Sequence, residues 1–138
     1  MLAVRVSPFA TGSNEGESAA ENDGSLVLRA SVGDLRVLLA GDVQEDGQRN
    51  ALTAGADFTA DVMLVPHHGS GHQSPDFLAA SKATVAVFSV GADNDYGHPA
   101  VRTQRAVQSL GMRVARTDQQ GAVAISRVDG SLVITTQR

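Results

Sequence analysis

At 138 residues, with 42% hydrophobic and 19% charged side chains, the chain suits one globular domain large enough to bury a core. A net charge of −4 excludes the broad basic face that carries nucleic acid by electrostatics alone, though not a nuclease whose metal supplies the positive charge. The absence of cysteine excludes disulfides and thiolate metal sites, leaving His and carboxylate ligands of the kind that suit Zn²⁺, Mn²⁺ or Fe.

With no Trp, one Tyr and four Phe, the core must be built from Val, Leu, Ala and Ile, a bias that favours strands covered by helices. Residues 2–7 alternate as a first strand, ended by Pro8, and lack the long apolar centre of a signal peptide. Residues 10–24 are rich in Gly, Ser, Asn and Glu and read as a mobile loop closed by Asn22-Asp23-Gly24-Ser25. Strands follow at Leu26–Val32 and Leu35–Ala40, joined by the hairpin pair Gly33-Asp34. Leu26, Leu28, Ala30 and Val32 share one face of the first.

The second of these strands runs into Gly41-Asp42, and residues 44–54 form a short helix with Ala51 and Leu52 turned inward, stopped by Gly55. Asp61–Val65 is a buried strand that runs straight into Pro66-His67-His68-Gly69-Ser70-Gly71-His72. Ser74-Pro75 opens a helix to Ser81, with Ser as N-cap and Pro at the first helical position. Ala83–Val90 is the most apolar stretch and reads as a central strand, followed by the polar segment Gly91–His98. A helix from Pro99 to Gly111 and strands at 112–117, 122–128 and 131–136 complete the chain, the last two joined by Asp129-Gly130. The order predicts an α/β (α+β) fold in one domain, residues 1–138: a mixed sheet with helices on one face and a C-terminal hairpin. No run approaches the roughly 20 apolar residues of a membrane span, so the chain is expected to be soluble.

Gly41-Asp42, Pro66–His72 and Gly91–His98 each follow the carboxyl end of a strand, where sites assemble in sheets covered by helices. If those strands are neighbours, Asp42, His67, His68 and His98 converge. Asp42 reads either as the N-cap of the next helix or as a metal-bridging carboxylate. His67 and His68 can face different ways, one as a direct ligand and the other orienting it or meeting substrate. Gly69 permits close backbone approach, and Ser70 can hold an imidazole or a phosphate oxygen. His72 reads as a solvated side chain. His98, at a helix start, is favoured as the neutral imidazole that a ligand must be. Asn94 and Tyr96 can reach into the site, whereas Asn22 and Ser25 read first as a turn and a strand start. No Gly-x-Ser-x-Gly elbow is present to suggest a serine hydrolase.

Asn22-x-x-Ser25, Leu38-Leu39-Ala40-Gly41-Asp42, Ala60-Asp61 through His67-His68-Gly69-Ser70, Asn94-Asp95-Tyr96-Gly97-His98-Pro99 and Arg116-Thr117-Asp118-x-x-Gly121 occur in this order. The series closely resembles the carboxyl-terminal metallo-β-lactamase-like domain of ComEC-type competence proteins, the bacterial DNA-uptake channels, over about residues 22–125. The resemblance implies an αββα sandwich and a metal-dependent nuclease acting on DNA, in a parent that sits in the cell membrane with this domain outside the cytoplasm. Carried over, Asp42 is the bridging carboxylate, His98 the late histidine ligand, and His67 or His68 lines the same site, with divalent Mn or Zn as cofactor. Asn22, Ser25, Ser70, Asn94 and Tyr96 would meet substrate or support the ligands.

That superfamily takes most of its ligands from an early His-x-His-x-Asp-His-type loop, whereas the first histidine here is His67. The chain therefore resembles only the second half of the domain. It is expected to be inactive alone, to hold either no metal or a single ion at a mononuclear site, since tight binding needs three protein ligands held in place, and to cover the sheet face left open by forming a dimer. Two other readings are a non-catalytic module that binds DNA or a partner protein, and a metal-dependent hydrolase of another phosphoester.

Overall fold

The computed structural model describes residues 21–138 and the backbone of residues 2–7. Six strands form one sheet in sequence order: β1 (Leu2–Ser7), β2 (Val27–Val32), β3 (Leu35–Leu39), β4 (Val62–Leu64), β5 (Val85–Phe88) and β6 (Arg113–Arg116). The β1–β2 and β2–β3 pairs are antiparallel, and β3 through β6 are parallel. The carboxyl ends of β3, β4 and β5 therefore lie side by side along one edge. This is the mixed α/β architecture that the order of apolar runs implies.

Helices α1 (Glu45–Thr53), α2 (Pro75–Ala80) and α3 (Val101–Ser109) supply the crossovers that parallel neighbours require. The register places Leu38, Met63 and Ala86 in one row across β3, β4 and β5, and none of the three is exposed to solvent. Ala51 of α1, Phe77 and Leu78 of α2 and Val107 of α3 join that row in a single core. Phe77 packs at a tilt on Phe58, ring centroids 5.0 Å apart. Burying a side chain of this size contributes about 1.5–3 kcal/mol, so this layer dominates the stability of the fold.

A separate hairpin, β7 (Val123–Val128) and β8 (Ser131–Thr136), ends the chain and turns at Asp129-Gly130, both with positive φ. Alternate hairpin residues are half-buried, as expected of strands with one wet face. It is tied to the sheet by Arg127, whose guanidinium lies 3.1 Å from Asp61, and by Arg113, which donates to the Leu132 carbonyl.

Several boundaries differ from the sequence reading. Residues 21–24 form a helical turn rather than the end of a mobile loop, and Asp23 within it is buried; residues 10–20 lie outside the described residues. The third helix begins at Val101, with Ala100 as its N-cap, so His98 stands short of the helix. Strand β6 stops at Arg116 because Thr117–Gln120 coil into a short helix, α4. There the Thr117 hydroxyl receives the Val90 N–H and donates to the Val90 carbonyl, both at 2.7 Å, pinning the chain just beyond β5. Of the face expected to lie open, Leu26 and Val32 are 52% and 63% exposed while Leu28 and Ala30 are half-buried.

Candidate active site at the strand ends

The loop after β4 is a short 3₁₀ turn, Pro66–Gly69, in which His67, His68 and Gly69 have φ of +47°, +53° and +79°. Three consecutive left-handed residues reverse the chain tightly, a conformation that costs a non-glycine residue roughly 1–2 kcal/mol. Surrounding contacts hold it. The His67 N–H donates to the Gly41 carbonyl at 2.9 Å, joining the β4 loop to the β3 loop. The Ala100 N–H donates to the Gly69 carbonyl at 2.9 Å, joining it to the segment before α3. Gly69 faces Phe88 and Pro99 so closely that a Cβ there would stand 2.4 Å from the Phe88 ring.

Beneath the turn runs a chain of two amides, Gln48 buried and Gln73 half-buried. Gln48 of α1, fully buried, donates to the Val43 carbonyl and to Gln73 Oε1, and accepts the Ser74 N–H. Gln73 in turn donates to the Pro66 carbonyl at 3.0 Å and the Ser70 carbonyl at 3.2 Å. The Thr103 hydroxyl of α3 donates to the same Ser70 carbonyl at 2.6 Å. Ser70 is buried, and its hydroxyl lies within hydrogen-bonding distance of the His72 N–H and the Gln73 amide, so it serves the turn rather than facing the imidazoles. His72 is exposed, as the sequence suggests.

On the outer side of the turn the expected residues do meet. His68 Nε2 lies 3.6 Å from Asp42 Oδ1, and His68 Nδ1 lies 2.8 Å from the Ser89 carbonyl beyond β5. One imidazole thus spans the ends of β3 and β5. Ring centroids of His67 stand 6.3 Å from His68 and 5.7 Å from His98. His67 Nδ1 is buried with no hydrogen-bond partner among the described residues. His98 is held below its ordinary value of 6.5, first by burial and then by the nearby His67 and His68, so its ring stays neutral and able to donate a lone pair.

Asp42 is not the cap of α1. Gln44 occupies the N-cap position without a side-chain bond of its own. The buried Asp23 carboxylate caps instead, accepting the N–H groups of Gln44 and Gly47, both at 3.1 Å. This leaves Asp42, about half exposed, free to face His68. Ser25 supports it from behind, its hydroxyl accepting the Asp42 N–H at 3.3 Å. Asn22 acts through its carbonyl, which accepts the Ser25 N–H. Asn94 closes the third loop on itself: its amide donates to the Gly91 and His98 carbonyls and accepts the His98 N–H.

The donors fit a divalent ion in kind. A carboxylate, an orphaned buried imidazole nitrogen and a neutral histidine are what Mn²⁺ or Zn²⁺ would take. They do not complete its shell: among the described residues no three His, Asp or Glu side chains are arranged to hold a metal ion. The sequence reading missed Gln48, Gln73, Thr103 and Asp23. Gln48 alone had a signal, a polar residue three positions before Ala51 on the inward face of α1.

Over 108 residues, 78% of the chain, it is 33% identical to ComE operon protein 3 of Bacillus subtilis (strain 168), of which this covers 14%. Over 112 residues, 80% of the chain, it is 33% identical to Competence protein ComA of Neisseria gonorrhoeae, of which this covers 16%. The chain spans only those small fractions, 14% and 16%, of the curated relatives it matches. No family model matches it. Among the described residues no helix is long and apolar enough to cross a membrane.

Proposed function

We propose that this chain forms one wall of a metal-dependent DNA nuclease site in a competence protein engaged in DNA uptake. The observation that carries the reading is the meeting of Asp42, His67, His68 and His98 on three adjacent loops, with His68 bridging Asp42 and Ser89. In this reading Asp42, His67 and His98 are donors to a Mn or Zn ion whose remaining donors come from residues outside the described part, in a domain of metallo-β-lactamase type. Such an ion supplies positive charge for the phosphate and a hydroxide at neutral pH. His68, oriented through Nδ1 by the Ser89 carbonyl, holds Asp42 in place and faces the substrate. With too few donors among the described residues to hold the ion, the chain alone is expected to be inactive.

The test incubates single-stranded DNA and Mn²⁺ with this chain, and separately with a longer chain that includes the region upstream. The expected result is cleavage by the longer chain only, lost in its Asp42→Ala variant. Cleavage by the short chain that vanishes in Asp42→Ala overturns its inactivity, and no cleavage by either sinks the nuclease reading.

A further inference from the structure

Tyr96 is 84% exposed, the most exposed large hydrophobic side chain among the described residues. It does not stand free: its ring lies beside His98 with centroids 6.1 Å apart and planes within 15° of parallel. An aromatic ring left to solvent is usually folded back or shared with an apolar neighbour, because its faces gain from contact. Here the ring lies offset and nearly parallel to an imidazole, and it borders a cavity of about 210 Å³ also lined by His68, Val90, Gly91 and Asn94. That volume is below the roughly 300–1,000 Å³ of sites for drug-sized ligands, which suits a single flat ring system.

We propose that Tyr96, beside His98, is a stacking platform that takes one nucleobase of a single nucleic-acid strand into this cavity. The proposal rests on the nuclease reading for its ligand class and adds the substrate's subsite to it. Stacking is a means of holding a strand that does not require a basic face, which matters for a chain of net charge −4. His68 lines the same cavity and reaches Asp42, so a base seated here places its own sugar-phosphate beside the imidazole–carboxylate pair. The Asn94 amide is not available to read a base edge, because it is already committed to Gly91 and His98. Thymine and adenine strands are both accepted.

The chain has one tyrosine and no tryptophan, so the ring protons of Tyr96 are unambiguous in a proton NMR spectrum. Adding a thymidine hexamer should move the Tyr96 and His98 ring protons upfield by ring current, whereas an abasic hexamer of equal length and charge should not. By anisotropy of a labelled hexamer, Tyr96→Ala should weaken binding about tenfold and Tyr96→Phe should retain it. Equal shifts with the abasic strand, no binding of the hexamer, or unchanged affinity in Tyr96→Ala each overturn the platform. Base-dependent binding by this chain, with no cleavage of DNA by this chain or by the longer one, would sink the nuclease reading and leave the platform standing.

Discussion

Gln48 and Gln73 meet amide to amide at 2.8 Å, and through that bond helix α1 reaches the histidine turn. Gln48 is fully buried, and each polar atom of its amide has a protein partner. Gln73 passes the connection on to the Pro66 and Ser70 carbonyls on either side of His67 and His68. An amide chain of this kind gives the turn a single conformation, which a surface loop would not have.

Gln48→Leu should therefore destabilise the fold by about 3 kcal/mol, since it strands the Ser74 N–H, the Val43 carbonyl and the Gln73 oxygen in an apolar setting. Urea unfolding measures this. The same variant should broaden the His67 and His68 imidazole resonances in NMR spectra, a change that simple loss of stability elsewhere does not produce.

Two glycines of the site should respond in opposite ways. Gly69→Ala places a methyl group 2.4 Å from the Phe88 ring at φ of +79°, so strain and overpacking together should cost about 3 kcal/mol. Gly91→Ala meets no atom within 4 Å and should change stability by less than about 0.5 kcal/mol. Thermal melts of the two variants give the comparison directly.

Asp23→Ala should cost about 1–2 kcal/mol, the usual loss for removing a helix cap, because the Gln44 and Gly47 N–H groups lose their acceptor. Hydrogen exchange at the first turn of α1 should quicken well before exchange in α3. Equal quickening in both helices would show that Asp23 acts on the whole fold and not on that helix.

The Arg116 guanidinium bonds Asp118 and holds its carboxyl below the ordinary 3.8. A depressed folded-state value means the unfolded chain binds the proton first as pH falls. This contribution is thus complete above pH 3.8 and is lost as pH drops below it, through the folded-state value. Asp118→Asn should flatten this part of the acid unfolding profile and leave the profile above pH 5 parallel to that of the parent chain.

Much of this was legible from patterns of short range. Asp129-Gly130 and Gly33-Asp34 declared their hairpins through residues that accept positive φ, and Ser74-Pro75 declared a helix start. The apolar run from Ala83 to Val90 declared the central strand, though its regular part is only Val85–Phe88. Because the parallel strands are neighbours in sequence order, the loops that follow them had to meet, and Asp42, His67, His68 and His98 followed. What stayed hidden depends on partners far apart in the chain. Asp23 caps a helix whose first turn lies more than 20 residues away, and Gln48 finds Gln73 at a separation of 25. No local propensity marks such pairs: the inward position of Gln48 on α1 signals its burial but not its partner. The short helix at Thr117 was hidden for the same reason, since the threonine's partner is Val90.

The left-handed backbone at His67 and His68 sets stability against the proposed site. Glycine adopts φ near +50° without penalty, and His67 also buries a ring nitrogen that has no partner among the described residues. His67→Gly should accordingly raise the midpoint of thermal unfolding, by an amount equivalent to about 1 kcal/mol, while depriving the site of a donor. An engineer ranking substitutions by stability alone would choose that change early and remove a side chain of the proposed metal site with it. The histidines are the more expensive way to build this turn, and the fold tolerates them because the core beneath is strong enough to hold two strained residues in a row.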